Sequence, residues 1–114
     1  MIAATPKPPY FAVIFTSHRT EVDDNYEEVS AHMADLASQQ PGFLGIESIR
    51  NDLGVTISYW ESLEAITAWR ANAEHRVAQT KGRDQWYCCF RIRVCKVERE
   101  YGSTHADCPH RAAE

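Results

Sequence analysis

The chain has 114 residues, 44% hydrophobic and 25% charged, enough for one hydrophobic core and one domain, with neither the composition of a disordered chain nor that of a fibrous one. Its net charge of −4 argues against a nucleic-acid surface, which relies on clustered excess Lys and Arg. No apolar run approaches the ~20 residues that span a bilayer, and Met1 to Pro9 lacks the basic start and apolar stretch of a signal peptide, so a cytoplasmic protein is expected.

Residues 1–9, with prolines at 6, 8 and 9, read as an extended lead-in, and residues 1–8 are expected to be dispensable. Tyr10 to Ser17 is nearly continuous in aromatic and β-branched residues, the pattern of a strand covered on both faces. Glu21 to Gln40 carries Val22, Tyr26, Val29, Met33 and Leu36 at spacings of four, three, four and three, which predicts an amphipathic helix capped at Asp23 or Asp24. Pro41-Gly42 stops it. Phe43 to Arg50 and Val55 to Glu61 then form a hairpin through the turn residues Asn51 to Gly54.

Ser62 stands at an N-cap position, and Leu63, Ile66 and Trp69 recur on one helical face. Asn72-Ala73 interrupts that pattern, so a second helical run, Glu74 to Lys81, is expected beyond a break and ends at the C-cap residue Gly82. The stretch is far more polar than packing requires, with Arg70, Asn72, Glu74, His75, Arg76, Gln79 and Arg83. In a straight helix His75 lies roughly 240° around the axis from Trp69, so the two share a pocket only if the helix breaks.

Trp86 to Glu98 is the last strand. Strict alternation puts Cys88, Phe90, Ile92 and Val94 on one face and Tyr87, Cys89, Arg91, Arg93, Cys95 and Val97 on the other. Cys88 and Cys89 point apart, so reduced thiols are expected at all four cysteines. The tail from 102 to 114 is polar and reads as loose; its His105, Cys108 and His110 lack the tighter paired spacing of structural zinc sites, and no metal is expected.

The order β-α-β-β-α-β is the ferredoxin-like arrangement, α+β, with a four-stranded antiparallel sheet and both helices on one face. The other face is left bare. Because the first strand is apolar on both sides, that face is expected to pair two copies into a homodimer.

The element order, Pro41-Gly42-Phe43, Trp69-Arg70, Glu74-His75-Arg76 with Ala78-Gln79, Gly82-Arg83, and Arg91-x-Arg93-Val94 with Glu98-Arg99-x-Tyr101 resemble the antibiotic biosynthesis monooxygenase-like proteins of the dimeric α+β barrel group, over residues 10–101. The resemblance implies a cytoplasmic homodimer with a pocket between sheet and helices in each subunit. It also implies oxidation of a small aromatic substrate, a phenol or hydroquinone, to a quinone without metal or flavin. Trp69 matches a pocket Trp of the polyketide monooxygenases, and His75 stands where those enzymes carry a Tyr. The haem-degrading relatives carry a pocket Asn on the first strand and a later His; here Tyr10 to Ser17 has no Asn and the later position is Gln79, which points away from haem. On this basis His75 is the candidate base, Trp69 the stacking wall, and Asn72 or Arg83 the group that stabilises substrate charge, with no cofactor. The structural alternatives are core packing for Trp69, a surface or capping role for His75, and a solvated C-terminal charge for Arg83. At the level of the whole protein the alternative is a non-catalytic, small-molecule-binding or stress-related barrel.

Overall fold

Alternating and continuous apolar runs become four strands, and the two 3.6-residue patterns become helices. The structure, a computed structural model, describes residues 2–21, 26–80 and 86–110, with the backbone alone for 75–80. The elements run β1 (Tyr10–Arg19), α1 (Tyr26–Ser38), β2 (Phe43–Arg50), β3 (Gly54–Trp60), α2 (Leu63–Thr80) and β4 (Tyr87–Val97). The sheet order is β2-β3-β1-β4, and β1–β3, β1–β4 and β2–β3 all pair antiparallel, the ferredoxin-like α+β fold.

Register decides which residues share a face. Phe11 lies opposite Trp60 and Lys96, Val13 opposite Ser58 and Val94, and Phe15 opposite Thr56 and Ile92. This is the helix-facing side, because Ala37 of α1 and Ile66 of α2 form the buried core with Trp60, packed on by Phe11, Val13, Phe43, Ala65 and Trp69. Trp60 is completely buried, and its indole N–H donates to Ser58 Oγ at 2.8 Å, so the ring enters the core without an unpaired donor. Ser62 caps α2 as expected, its Oγ accepting from the Ala65 amide at 3.1 Å. Gly42 takes φ +86° between α1 and β2, and a Cβ there would stand 2.7 Å from that of Ala65, so the turn needs both the left-handed backbone and the missing side chain.

Two expectations need correction. The α2 helix is unbroken through Asn72-Ala73 to Thr80. Ala is the best helix former and Asn a modest one, so continuing the hydrogen-bond ladder costs less than leaving a turn of backbone groups unsatisfied. Leu63 does not share the buried face; in the first turn, at the margin of the sheet, it is 49% exposed while Ile66 is 7% exposed. The lead-in is irregular and is held at two points: the Ala3 amide donates to Glu47 Oε2 at 2.9 Å and Thr5 Oγ1 donates to Glu100 Oε2 at 2.9 Å. Residues 22–25 and 81–85 lie outside the described residues, and with them the expected caps Asp23, Asp24 and Gly82.

The opposite face carries Tyr10, Ala12, Ile14 and Thr16 of β1, Val55, Ile57 and Tyr59 of β3, and Arg91, Arg93 and Cys95 of β4. Arg91 and Arg93 point away from the helices, as alternation predicts, and are exposed. The lead-in crosses one end of this face, where Tyr10 and Tyr59 meet edge to face at 5.8 Å and donate to Glu100 and Glu47 at 2.7 and 2.6 Å.

Candidate active site on the helix-facing side of the sheet

Two aromatic clusters occupy opposite ends of the helix-facing side. The first is the core around Trp60, with Phe43 edge-on at 5.5 Å and Trp69 stacked at 6.0 Å and 22°. The second gathers Phe15 of β1, Tyr26 of α1, and Trp86, Tyr87 and Phe90 at the start of β4. Between them, at the β4 edge, Ile92 and Val94 remain 43% and 50% exposed although register places them on the same side as the buried Trp60.

A β-bulge builds the second cluster. The β1–β4 register shifts between His18 and Arg19, whose partners are Cys89 and Tyr87, so Cys88 is the extra residue. Strict alternation would send Tyr87 to the opposite face with Arg91. The bulge instead turns it to the helix side, where its ring meets Phe15 at 5.3 Å, Tyr26 at 5.9 Å and Phe90 at 6.1 Å. The Tyr87 hydroxyl donates to that of Tyr26 at 3.3 Å. Burial first, then this hydrogen bond, push the Tyr87 hydroxyl above the usual tyrosine range, while the charges of Arg50 and Arg19 pull the other way. Tyr87 therefore keeps its proton near neutrality and serves as a donor rather than a base.

Two guanidinium groups flank this cluster. Arg19 Cζ sits 3.5 Å from the Tyr26 ring centroid and Arg50 Cζ at 5.9 Å, a cation–π arrangement. Arg50 folds back across the hairpin, donating from Nη2 to Ser17 Oγ and from Nη1 to Ser17 O at 3.5 Å. Sequence reading did not single out Arg19, Arg50, Tyr26 and Tyr87 as candidate site residues. Tyr26 was visible only as one more member of an apolar helical series, and nothing local to Cys88-Cys89 announces a bulge.

Of the residues expected to form the site, Trp69 and Asn72 are the ones whose side chains are described. Trp69 is half-buried, with one face of its ring against Trp60, which matches its structural alternative. Asn72 is half-buried one turn further along α2. The backbone at His75 is helical, so its position falls roughly 240° around the unbroken helix from Trp69. The His75 side chain and all of Arg83 lie outside the described residues. Among the described residues no three His, Cys, Asp or Glu side chains are grouped to hold a metal ion. In the tail, His105 Nδ1 accepts from the Asp107 amide at 3.2 Å, and Cys88, Cys89 and Cys95 of β4 and Cys108 of the tail are free thiols. No helix among the described residues is long and apolar enough to cross a membrane.

The family model for antibiotic biosynthesis monooxygenase matches residues 9–81, from the start of β1 through α2. The chain belongs to this family. The uncharacterized protein YqjZ of Bacillus subtilis (strain 168) is 48% identical over 101 residues, covering 87% of this chain and 89% of its own. Among solved structures, SnoaB of Streptomyces nogalater, a cofactor-independent oxygenase, superposes with a TM-score of 0.68 at 14% identity, covering 84% of this chain and all of its own. PA3566 of Pseudomonas aeruginosa gives 0.61 at 14% identity over 84% of this chain and 99% of its own. At these identities the structural matches speak for the fold, and the family rests on the sequence matches. Both helices of the antibiotic biosynthesis monooxygenase domain thus lie over the face that holds the two aromatic clusters.

Proposed function

We propose that this chain is a monooxygenase acting on a small electron-rich aromatic in the space between sheet and helices. The observation that carries the reading is the second aromatic cluster, Phe15, Tyr26, Tyr87 and Phe90 flanked by Arg19 and Arg50, in a member of this family. Rings suit a flat substrate, and guanidinium groups favour its ionised form.

A phenolate can act as its own reductant. It passes one electron to O₂, and the radical pair recombines to form a C–O bond. The O–O bond then breaks as the ring carbon loses its hydrogen and becomes a carbonyl, and the departing oxygen takes that proton and the one held by the base and leaves as water. A phenol plus O₂ gives a quinone plus water, and a hydroquinone gives a hydroxyquinone plus water. The protein supplies a base, charge stabilisation and a closed site. His75 is the proposed base, because an imidazole titrates near neutrality. With α2 unbroken, this requires the acidic hydroxyl to meet the helix on the side away from Trp69. Asn72 and Arg83 remain proposed substrate contacts, and no cofactor enters the scheme. The apolar back of the sheet is the proposed homodimer interface.

A second reading, a non-catalytic ligand-binding barrel, is favoured by Trp69 packing on Trp60 and by the position of residue 75 on another side of the helix. Oxygen uptake with a panel of hydroquinones and naphthols, in metal-free and flavin-free buffer, separates the two. Uptake that falls ~100-fold in His75→Ala supports the oxygenase with its base; no uptake with any substrate leaves the binding module.

A further inference from the structure

Around the second cluster, donors outnumber the acceptors that meet them among the described residues, and that sets the charge of what fits there. Arg50 gives two of its N–H groups to Ser17, and no carboxylate among the described residues lies within ion-pair distance of its guanidinium. Tyr26 accepts from Tyr87, which leaves its own hydroxyl proton for an acceptor, and 3.3 Å is long for a hydroxyl pair. Trp86 is 4% exposed, packs edge-on to Tyr26 at 5.5 Å, and its buried indole N–H has no partner among the described residues. A buried, unpaired donor is costly enough to need an explanation. An acceptor-only group, a carboxylate, is the natural complement to such a set.

Gly54 determines where the Arg50 guanidinium can lie. A Cβ on Gly54 would collide with Cζ, Nε and Nη2 of Arg50. An arginine at a hairpin end ordinarily extends into water and keeps its rotamer freedom. Here it bends back over the one residue that leaves room, toward Ser17 and Tyr26. Because the colliding atoms are the tip of a flexible side chain, a methyl group at position 54 would displace the guanidinium without disturbing the strand.

We infer that this cluster selects aromatic acids, with the ring packed against the accessible sides of Phe15, Tyr87 and Phe90 and the carboxylate received by Arg50, which Gly54 and Ser17 hold in place. This deepens the aromatic-substrate reading above and rests on it for the location of the site, but it concerns binding and needs no turnover.

The test is an anaerobic titration followed by intrinsic tryptophan fluorescence with two matched pairs: 2,5-dihydroxybenzoate and its methyl ester, and 1,4-dihydroxy-2-naphthoate and its methyl ester. In at least one pair the acid should bind about tenfold or more tightly than the ester, the usual scale of a charge-assisted contact. Arg50→Gln should lower the acid's affinity to that of the ester and leave the ester unchanged. Gly54→Ala should do the same with Arg50 still present, and Arg50→Lys should keep part of the preference because it keeps the charge but not the fork. Equal affinity of acid and ester in both pairs, saturable binding of neither, or a preference that survives Arg50→Gln would overturn the inference. Selective binding of the acid without oxygen uptake in air would count against the oxygenase reading alone.

Discussion

Trp69 stacks on Trp60 with ring centroids 6.0 Å apart and planes 22° from parallel, so the residue expected to form a substrate wall is first a part of the core. Trp60 is completely buried, and anything that removes its neighbour opens a cavity against it. Trp69→Ala should therefore destabilise the fold by about 2–4 kcal/mol, toward the lower end for a tryptophan because the side chain is only half-buried. Trp69→Phe should cost about half as much or less. Urea unfolding of both variants measures this, and a Trp69→Ala protein of wild-type stability would mean that the stacking is not a packing contact.

The tyrosine hydroxyls make stability depend on pH at the alkaline end. Burial is the first cause holding Tyr10, Tyr59 and Tyr87 above the usual tyrosine range, with acceptance by Glu47 the second cause for Tyr59. The folded state thus favours the neutral phenol. The stabilisation is whole below the ordinary tyrosine pKa of about 10 and is lost as pH rises through the raised folded values. Tyrosinate absorbance should show a delayed fraction that ionises only as the protein unfolds. Tyr59→Phe should shrink both the delayed fraction and the alkaline loss of stability; an unchanged titration would rule out Tyr59 as a contributor.

The lead-in should matter to stability, contrary to its composition. Deleting residues 2–8 removes the donors that Ala3 and Thr5 offer to Glu47 and Glu100, and leaves both carboxylates with one partner fewer beside Tyr59 and Tyr10. A loss of about 1–3 kcal/mol is expected from two such hydrogen bonds, one or both charge-assisted. Thermal unfolding of the truncated protein would show it as a lowered midpoint, and an unmoved midpoint would return the segment to the status of a dispensable tail.

The apolar remainder of the back face should pair two copies. Ile14, Thr16, Val55 and Ile57 lie together there by register, and Ile49 beside Val55 is 74% exposed. A sheet-to-sheet interface should bury more than ~1,000 Å² in total. Sedimentation at micromolar concentration should give a dimer, and Ile57→Glu a monomer that keeps its far-ultraviolet dichroism. A wild-type monomer under those conditions would remove the proposed interface.

Element order, strand faces and the cap at Ser62 were legible in the chain because each depends on residues within one or two turns of one another. The alternation that put Arg91 and Arg93 away from the helices needed no knowledge of the partner strands. Tyr87 is where that reading failed, since a bulge is a property of two paired strands and appears only when β1 and β4 are in register. The continuity of α2 was a balance between weak local preferences, and Asn72-Ala73 is too mild an interruption to end a helix whose other turns are held by the core. The second cluster brings together Arg19, Tyr26, Arg50 and Tyr87 from four different elements or their ends. Their proximity depends on long-range pairing and on the space above Gly54, neither of which any local pattern of residues encodes.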